Sequence, residues 1–120
     1  MLNENSKLNE NVFDIEKLKQ IPTRDGFGRG LVEAGELDLK VVALCADLAE
    51  STRAHWFREK FPERYVELGV AEQNLATVAS GMANYGKIPF IMSYATFSPG
   101  RNNEQIRTTI ALNNVPVKIV

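Results

Sequence analysis

The 120-residue chain has one cysteine, Cys45, one histidine, His55, and one tryptophan, Trp56. A single thiol forms no internal disulfide, which excludes a disulfide-stapled secreted mini-domain and makes a reducing cytoplasm the expected compartment. With one imidazole and no second thiol or histidine beside it, there is no zinc-type ligand spacing and no Cys-His nucleophile pair. Neither sign of charge dominates: 14 basic against 15 acidic side chains leave a net −1. That balance gives no general electrostatic reason to expect nucleic acid or an anionic membrane as partner. The longest apolar run, Val41 to Ala46, falls far short of the ~20 residues that cross a bilayer, and the opening MLNENSKLNENV has no signal-peptide core. Ser51, Ser80, Ser93 and Ser98 lie in no G-x-S-x-G elbow. A soluble, untargeted chain of one domain at most is expected, too small for most two-domain enzymes.

What is present is an alternation of strand and helix patterns. Residues 1–21 form a polar arm with Val12, Phe13, Ile15 and Leu18 as a spaced apolar set, suited to an arm or a short docking helix. From residue 22 a domain begins. Phe27, Leu31 and Ala34 recur at helical spacing over 24–36, with Thr23 as a possible N-cap. The run Val41 to Ala46, bounded by charge, suits a strand covered on both faces of a parallel sheet. A short helix and a loop fit residues 49–64, and Tyr65 to Leu68 reads as a second strand. Leu75, Val78, Ala79, Met82 and Ala83 trace the apolar stripe of an amphipathic helix that stops near Gly86. Residues 87–92 read as a third strand with Pro89 near its start, 101–113 as a helix, and 115–120 as a fourth strand. The expected fold class is α/β: an open, mostly parallel sheet with helices on both faces. The last strand stops with no helix to cover it, so the domain 22–120 is expected to be incomplete at its C-terminal end, truncated from a longer subunit or completed by a partner.

Gly26-Phe27-Gly28-Arg29-Gly30 superficially resembles a phosphate-binding loop, but it lies inside a helix pattern, follows no strand and lacks the G-x-G-x-x-G spacing. Leu68-Gly69-Val70-Ala71-Glu72-Gln73-Asn74 is more informative. A strand ends, a glycine turns the chain, and a carboxylate enters the first turn of a helix. Glu72 there either complements the helix dipole or serves chemistry; spacing alone leaves both open.

Five stretches together carry a resemblance: Pro22-Thr23-Arg24-Asp25-Gly26-Phe27-Gly28, Cys45 to Thr52, Phe61-Pro62-Glu63-Arg64-Tyr65, Gly69 to Asn74, and Thr96 to Arg101 with Glu104-Gln105-Ile106-Arg107. On these the chain resembles the pyrimidine-binding half of transketolase, specifically the C-terminal chain of the split, two-subunit form. The resemblance implies thiamine diphosphate as cofactor and a two-carbon ketol transfer between sugar phosphates of the pentose phosphate pathway. Glu72 matches the catalytic glutamate that hydrogen-bonds N1′ of the aminopyrimidine and favours its imino tautomer, so that the exocyclic nitrogen takes the C2 proton of the thiazolium. Phe97 matches the aromatic residue that stacks on that ring, and Asp47 an acidic residue near the cofactor. Arg24 and Ser51 match positions that hold the substrate phosphate, a task that suits a forked guanidinium. For Phe97 a core phenylalanine, for Asp47 a helix N-cap and for Arg24 a surface charge are the plain structural alternatives.

Gln73 stands where many single-chain transketolases have histidine, and Gly100 with Arg101 replaces aromatic positions of the ring pocket; both fit the split form. No residue group here suits the diphosphate and its divalent cation, Mg or Ca. The resemblance assigns those to a separate N-terminal diphosphate-binding subunit, with a dimer of heterodimers as the expected assembly. The alternatives are a deoxyxylulose-phosphate synthase, a 2-oxo acid dehydrogenase beta subunit, or a noncatalytic assembly module of the same fold.

Overall fold

A computed structural model of the chain describes residues 8–120; residues 1–7 of the expected arm lie outside the described residues. Asn9 to Lys17 make hydrogen-bonded turns rather than a docking helix, and Phe13 and Ile15 are exposed. The domain proper runs α1 (Thr23–Leu37), β1 (Val41–Cys45), α2 (Ala49–Thr52), α3 (Ala54–Lys60), a tight 3-10 turn at Pro62–Arg64, β2 (Tyr65–Glu67), α4 (Glu72–Asn84), β3 (Ile88–Met92), α5 (Asn103–Gln105) and β4 (Lys118–Ile119). The four strands form one parallel sheet in the order β2-β1-β3-β4.

All five residues of β1 are buried, because β1 is hydrogen-bonded on both edges and covered on both faces. Side chains alternate between two cores, as the period of a strand requires. Val41, Ala43 and Cys45 pack with Leu31 of α1 and Ala54 and Phe57 of α3. Val42 and Leu44 pack with Leu75 and Ala79 of α4 and with Ile91. The apolar stripe of α4 therefore faces the sheet as its spacing predicts.

Two glycines of α1 serve close packing. A Cβ on Gly28 would lie 2.6 Å from the Trp56 ring, and one on Gly35 2.6 Å from the Phe57 ring, whereas Gly26 and Gly30 meet nothing. The glycine cluster is thus a helix face and no phosphate loop.

Three expectations need correction. Pro22, not Thr23, occupies the N-cap position of α1, with no side-chain cap hydrogen bond; its carbonyl accepts the Asp25 N–H at 2.9 Å. Proline at the boundary needs no N–H partner of its own. Asp47 is no N-cap either, since α2 begins after Leu48 and Asp47 itself adopts a left-handed φ of 59°. The helix expected over 101–113 is one α-turn followed by a wider π-type turn, Ile106–Ala111. Thr108 and Thr109 hydroxyls bond the carbonyls of Glu104 and Gln105, at 2.9 and 2.6 Å, and Leu112 N–H reaches back to Arg107. Such side-chain competition for helix carbonyls loosens the regular ladder.

Candidate functional site

In a parallel open sheet, ligands bind outside the carboxyl ends of the strands. Here Asp47 follows β1, Glu72 follows β2, and Phe97 follows β3. With Ala46, Leu48, Val70 and Arg101 they line a single pocket of about 230 Å³. Gly69, φ 66°, makes the turn that lets the chain leave β2 and enter α4.

Glu72 is only 3% exposed although it carries a carboxylate. Its Oε1 and Oε2 accept hydrogen bonds from Arg101 Nη1 at 3.3 and 3.4 Å. The same guanidinium lies 4.2 Å from the centroid of the Phe97 ring. Phe97 is half-buried, its other neighbour being Tyr94, stacked at 6.1 Å between ring centroids and 25° between planes. Behind them Asn102, fully buried, donates from Nδ2 to the Glu72 backbone carbonyl at 3.0 Å and to Ser98 Oγ at 3.1 Å. That amide fastens the Phe97–Arg101 loop to the start of α4.

Glu67 ties together the turns after β1 and β2 that carry two walls of the pocket. Its carboxylate accepts the backbone N–H groups of Asp47 and Gly69 and the Tyr65 hydroxyl. Glu67, Arg101 and Asn102 gained no role from sequence reasoning. Each has a partner 20 to 30 residues away that no local spacing announces.

Arg24 and Ser51 do not join this pocket. They line a second one of about 340 Å³ with Thr23, Phe27, Thr52, Met92, Ser93 and Tyr94. Arg53, next to Thr52, pairs with Asp25 of α1 at 2.7 Å and so ties α1 to the α2–α3 junction. The stacked Tyr94 and Phe97 stand one in each pocket, so the two hollows are neighbours. The Ser93 hydroxyl is buried there without a hydrogen-bond partner.

Among the described residues no three His, Cys, Asp or Glu side chains converge as a metal site would require. His55 Nδ1 lies 3.2 Å from the Ala49 carbonyl, and Cys45 is buried in the sheet, where burial pushes its thiol pKa up. No helix among the described residues is long and apolar enough to cross a membrane.

The transketolase pyrimidine-binding domain model matches residues 19–120. The chain belongs to that family. Its domains bind thiamine diphosphate. A Methanocaldococcus jannaschii protein, named provisionally as a transketolase C-terminal section, is 44% identical over 97 residues, covering 81% of this chain and 31% of its own length. The 1-deoxy-D-xylulose-5-phosphate synthase of Dictyoglomus turgidum is 39% identical over 106 residues, 88% of this chain and 17% of that enzyme. Among solved structures, a split-gene transketolase described as an inactive β4 tetramer superposes with a TM-score of 0.75 at 46% identity, over 83% of this chain and 33% of that one. The chain thus spans a third or less of the length of these relatives.

The pocket suits the pyrimidine half of the family's cofactor. An aromatic face and a buried carboxylate border the same small space, and the carboxylate's side-chain partner is a half-exposed arginine rather than a core residue.

Proposed function

We propose that the chain is the pyrimidine-binding part of a transketolase C-terminal subunit, which moves a two-carbon ketol unit from a ketose phosphate to an aldose phosphate. The observation that carries this reading is the buried Glu72 carboxylate facing Phe97 across one pocket at the carboxyl ends of the strands. Thiamine diphosphate, when bound, supplies the carbon nucleophile and electron sink. In this reading Glu72 holds a proton against N1′ of the aminopyrimidine, Phe97 stacks on the ring, and Asp47 borders it. Arg24 offers a forked donor set, and Ser51 a hydroxyl, to the substrate phosphate in the neighbouring pocket.

The diphosphate and its divalent cation belong to a partner N-terminal subunit, with the active site between the two chains and a dimer of heterodimers as the working assembly. The name of the M. jannaschii relative, a C-terminal section, and the description of the split-gene β4 tetramer as inactive both favour this dependence. In this reading the chain works in the cytoplasm, a compartment in which a free thiol such as Cys45 stays reduced.

Co-expression with the diphosphate-binding partner is expected to give thiamine-dependent ketol transfer. Glu72→Gln should lower it at least ~100-fold without loss of assembly, since positioned acid-base groups contribute about 10²–10⁴. Full activity in that variant rejects the reading. One rival has support of its own: deoxyxylulose-phosphate synthases are 36 to 39% identical to this chain. Turnover of pyruvate but of no ketose phosphate would select it.

A further inference from the structure

Arg101 makes the two contacts that the pyrimidine ring needs. Its planar guanidinium lies over Phe97, and its N–H edge faces both oxygens of Glu72. A flat ring that stacks on Phe97 and hydrogen-bonds Glu72 cannot share that space with it. We propose that Arg101 is a side-chain stand-in that occupies the ring's place against Glu72 and Phe97 and is exchanged for the ring on binding. The inference rests on the reading of the pocket as the pyrimidine site.

The backbone around Arg101 favours a side-chain exchange over a loop movement. A Cβ on Gly100 would collide with the Thr96 carbonyl oxygen, so the chain there is closely folded on itself. Asn102, on the other side, is fully buried and tied to the Glu72 carbonyl and Ser98 Oγ. Between these anchors the Arg101 side chain is 50% exposed, while Glu72 is 3% exposed. Its two hydrogen bonds are long for a charged pair, which normally closes to about 2.7–2.9 Å. An open hollow of about 460 Å³ beside Gln73 and Asn74 gives the side chain a place to swing.

This arrangement also sets selectivity. A ligand that only stacks on Phe97 displaces Arg101 and leaves a buried carboxylate without a partner, at a cost that stacking does not offset. Only a ring that both stacks and hydrogen-bonds Glu72 makes good the loss.

The test uses the full chain and 4-amino-5-hydroxymethyl-2-methylpyrimidine as the probe. NMR should find the Arg101 δ-methylene protons shifted upfield by the Phe97 ring, and the probe should return them toward ordinary positions. Arg101→Met should bind the probe about three- to tenfold more tightly, because the guanidinium no longer competes for the Phe97 face and the Glu72 oxygens. Arg101→Lys, which keeps charge but loses the planar stack, should fall between. If the probe binds and Glu72→Gln weakens it, but Arg101 signals stay fixed or Arg101→Met binds no more tightly, the exchange is overturned and the pocket assignment stands. No probe binding in any variant overturns both.

Discussion

Glu67 Oε1 accepts the backbone N–H of Asp47 at 2.7 Å and so ties the carboxyl end of β1 to that of β2. The same oxygen takes the Gly69 N–H at 3.0 Å, and Oε2 the Tyr65 hydroxyl at 2.7 Å. Both turns it gathers have left-handed backbone, φ 59° at Asp47 and 66° at Gly69. Glu67 is therefore a brace for two walls of the pocket.

Removing the brace should lower both stability and ligand affinity, and a second variant separates the two. Glu67→Ala should cost about 1 kcal/mol in urea unfolding and weaken thiamine diphosphate in the reconstituted complex. Asp47→Gly keeps the backbone N–H and relieves the left-handed conformation, so the protein should unfold at equal or higher urea. Loss of cofactor affinity in that stable variant would assign a binding role to the Asp47 carboxylate; unchanged affinity would remove it from the site.

Arg64 closes the far end of α1. Its Nη1 donates to the carbonyls of Gly35 at 2.9 Å and Asp38 at 3.2 Å, and the guanidinium lies 4.0 Å from the Phe61 ring centroid. Arg64→Ala should lower stability by about 2–3 kcal/mol, and Arg64→Lys by less, since lysine keeps a donor but loses the flat stack. Equal melting temperatures for all three proteins would contradict this role.

The glycines of α1 should respond in opposite directions. Gly26 has open space around a Cβ, so Gly26→Ala gains up to about 1 kcal/mol of helix propensity. Gly28→Ala forces a methyl into Arg53 and Trp56 and should cost about 1–3 kcal/mol by overpacking. It should also push the α2–α3 wall, which carries Ser51, away from Arg24 on α1. Thermal unfolding of the pair checks the sign at each position.

Alkaline pH should weaken the fold. Burial raises the Cys45 thiol above its ordinary 9.0. Burial, then the hydrogen bond to Glu67, raises the Tyr65 phenol above its ordinary 10.0. Each group stays protonated in the fold after it has ionised in the unfolded chain. Stability is thus complete below pH 9.0 and falls as pH rises from there toward the raised folded values. Urea midpoints against pH should show that decline, with a shallower slope in Cys45→Ala; a slope unchanged by the substitution counts against the thiol's share.

Local pattern announced the parts of this molecule that local physics controls. The β1 run is apolar throughout and proves buried throughout, and the stripe Leu75–Ala79–Ala83 marks the buried face of α4. The strand-turn-helix passage through Gly69 places Glu72 at a helix start from sequence alone. The π-type turn escaped notice because threonine hydroxyls, not apolar spacing, decide it. The Glu67 brace, the Asn102 tie and the Arg101 contact escaped for another reason: each joins residues that meet only after the sheet has formed.

Asp47, Glu72 and Phe97 each follow a different strand of that sheet, so the pocket has no local precursor in the chain. Its walls meet only when two successive crossovers have closed, the slow, entropy-costly contacts of a parallel topology. Ligand bound there would report on completed folding, and a small fragment of this domain would retain the motif without the affinity.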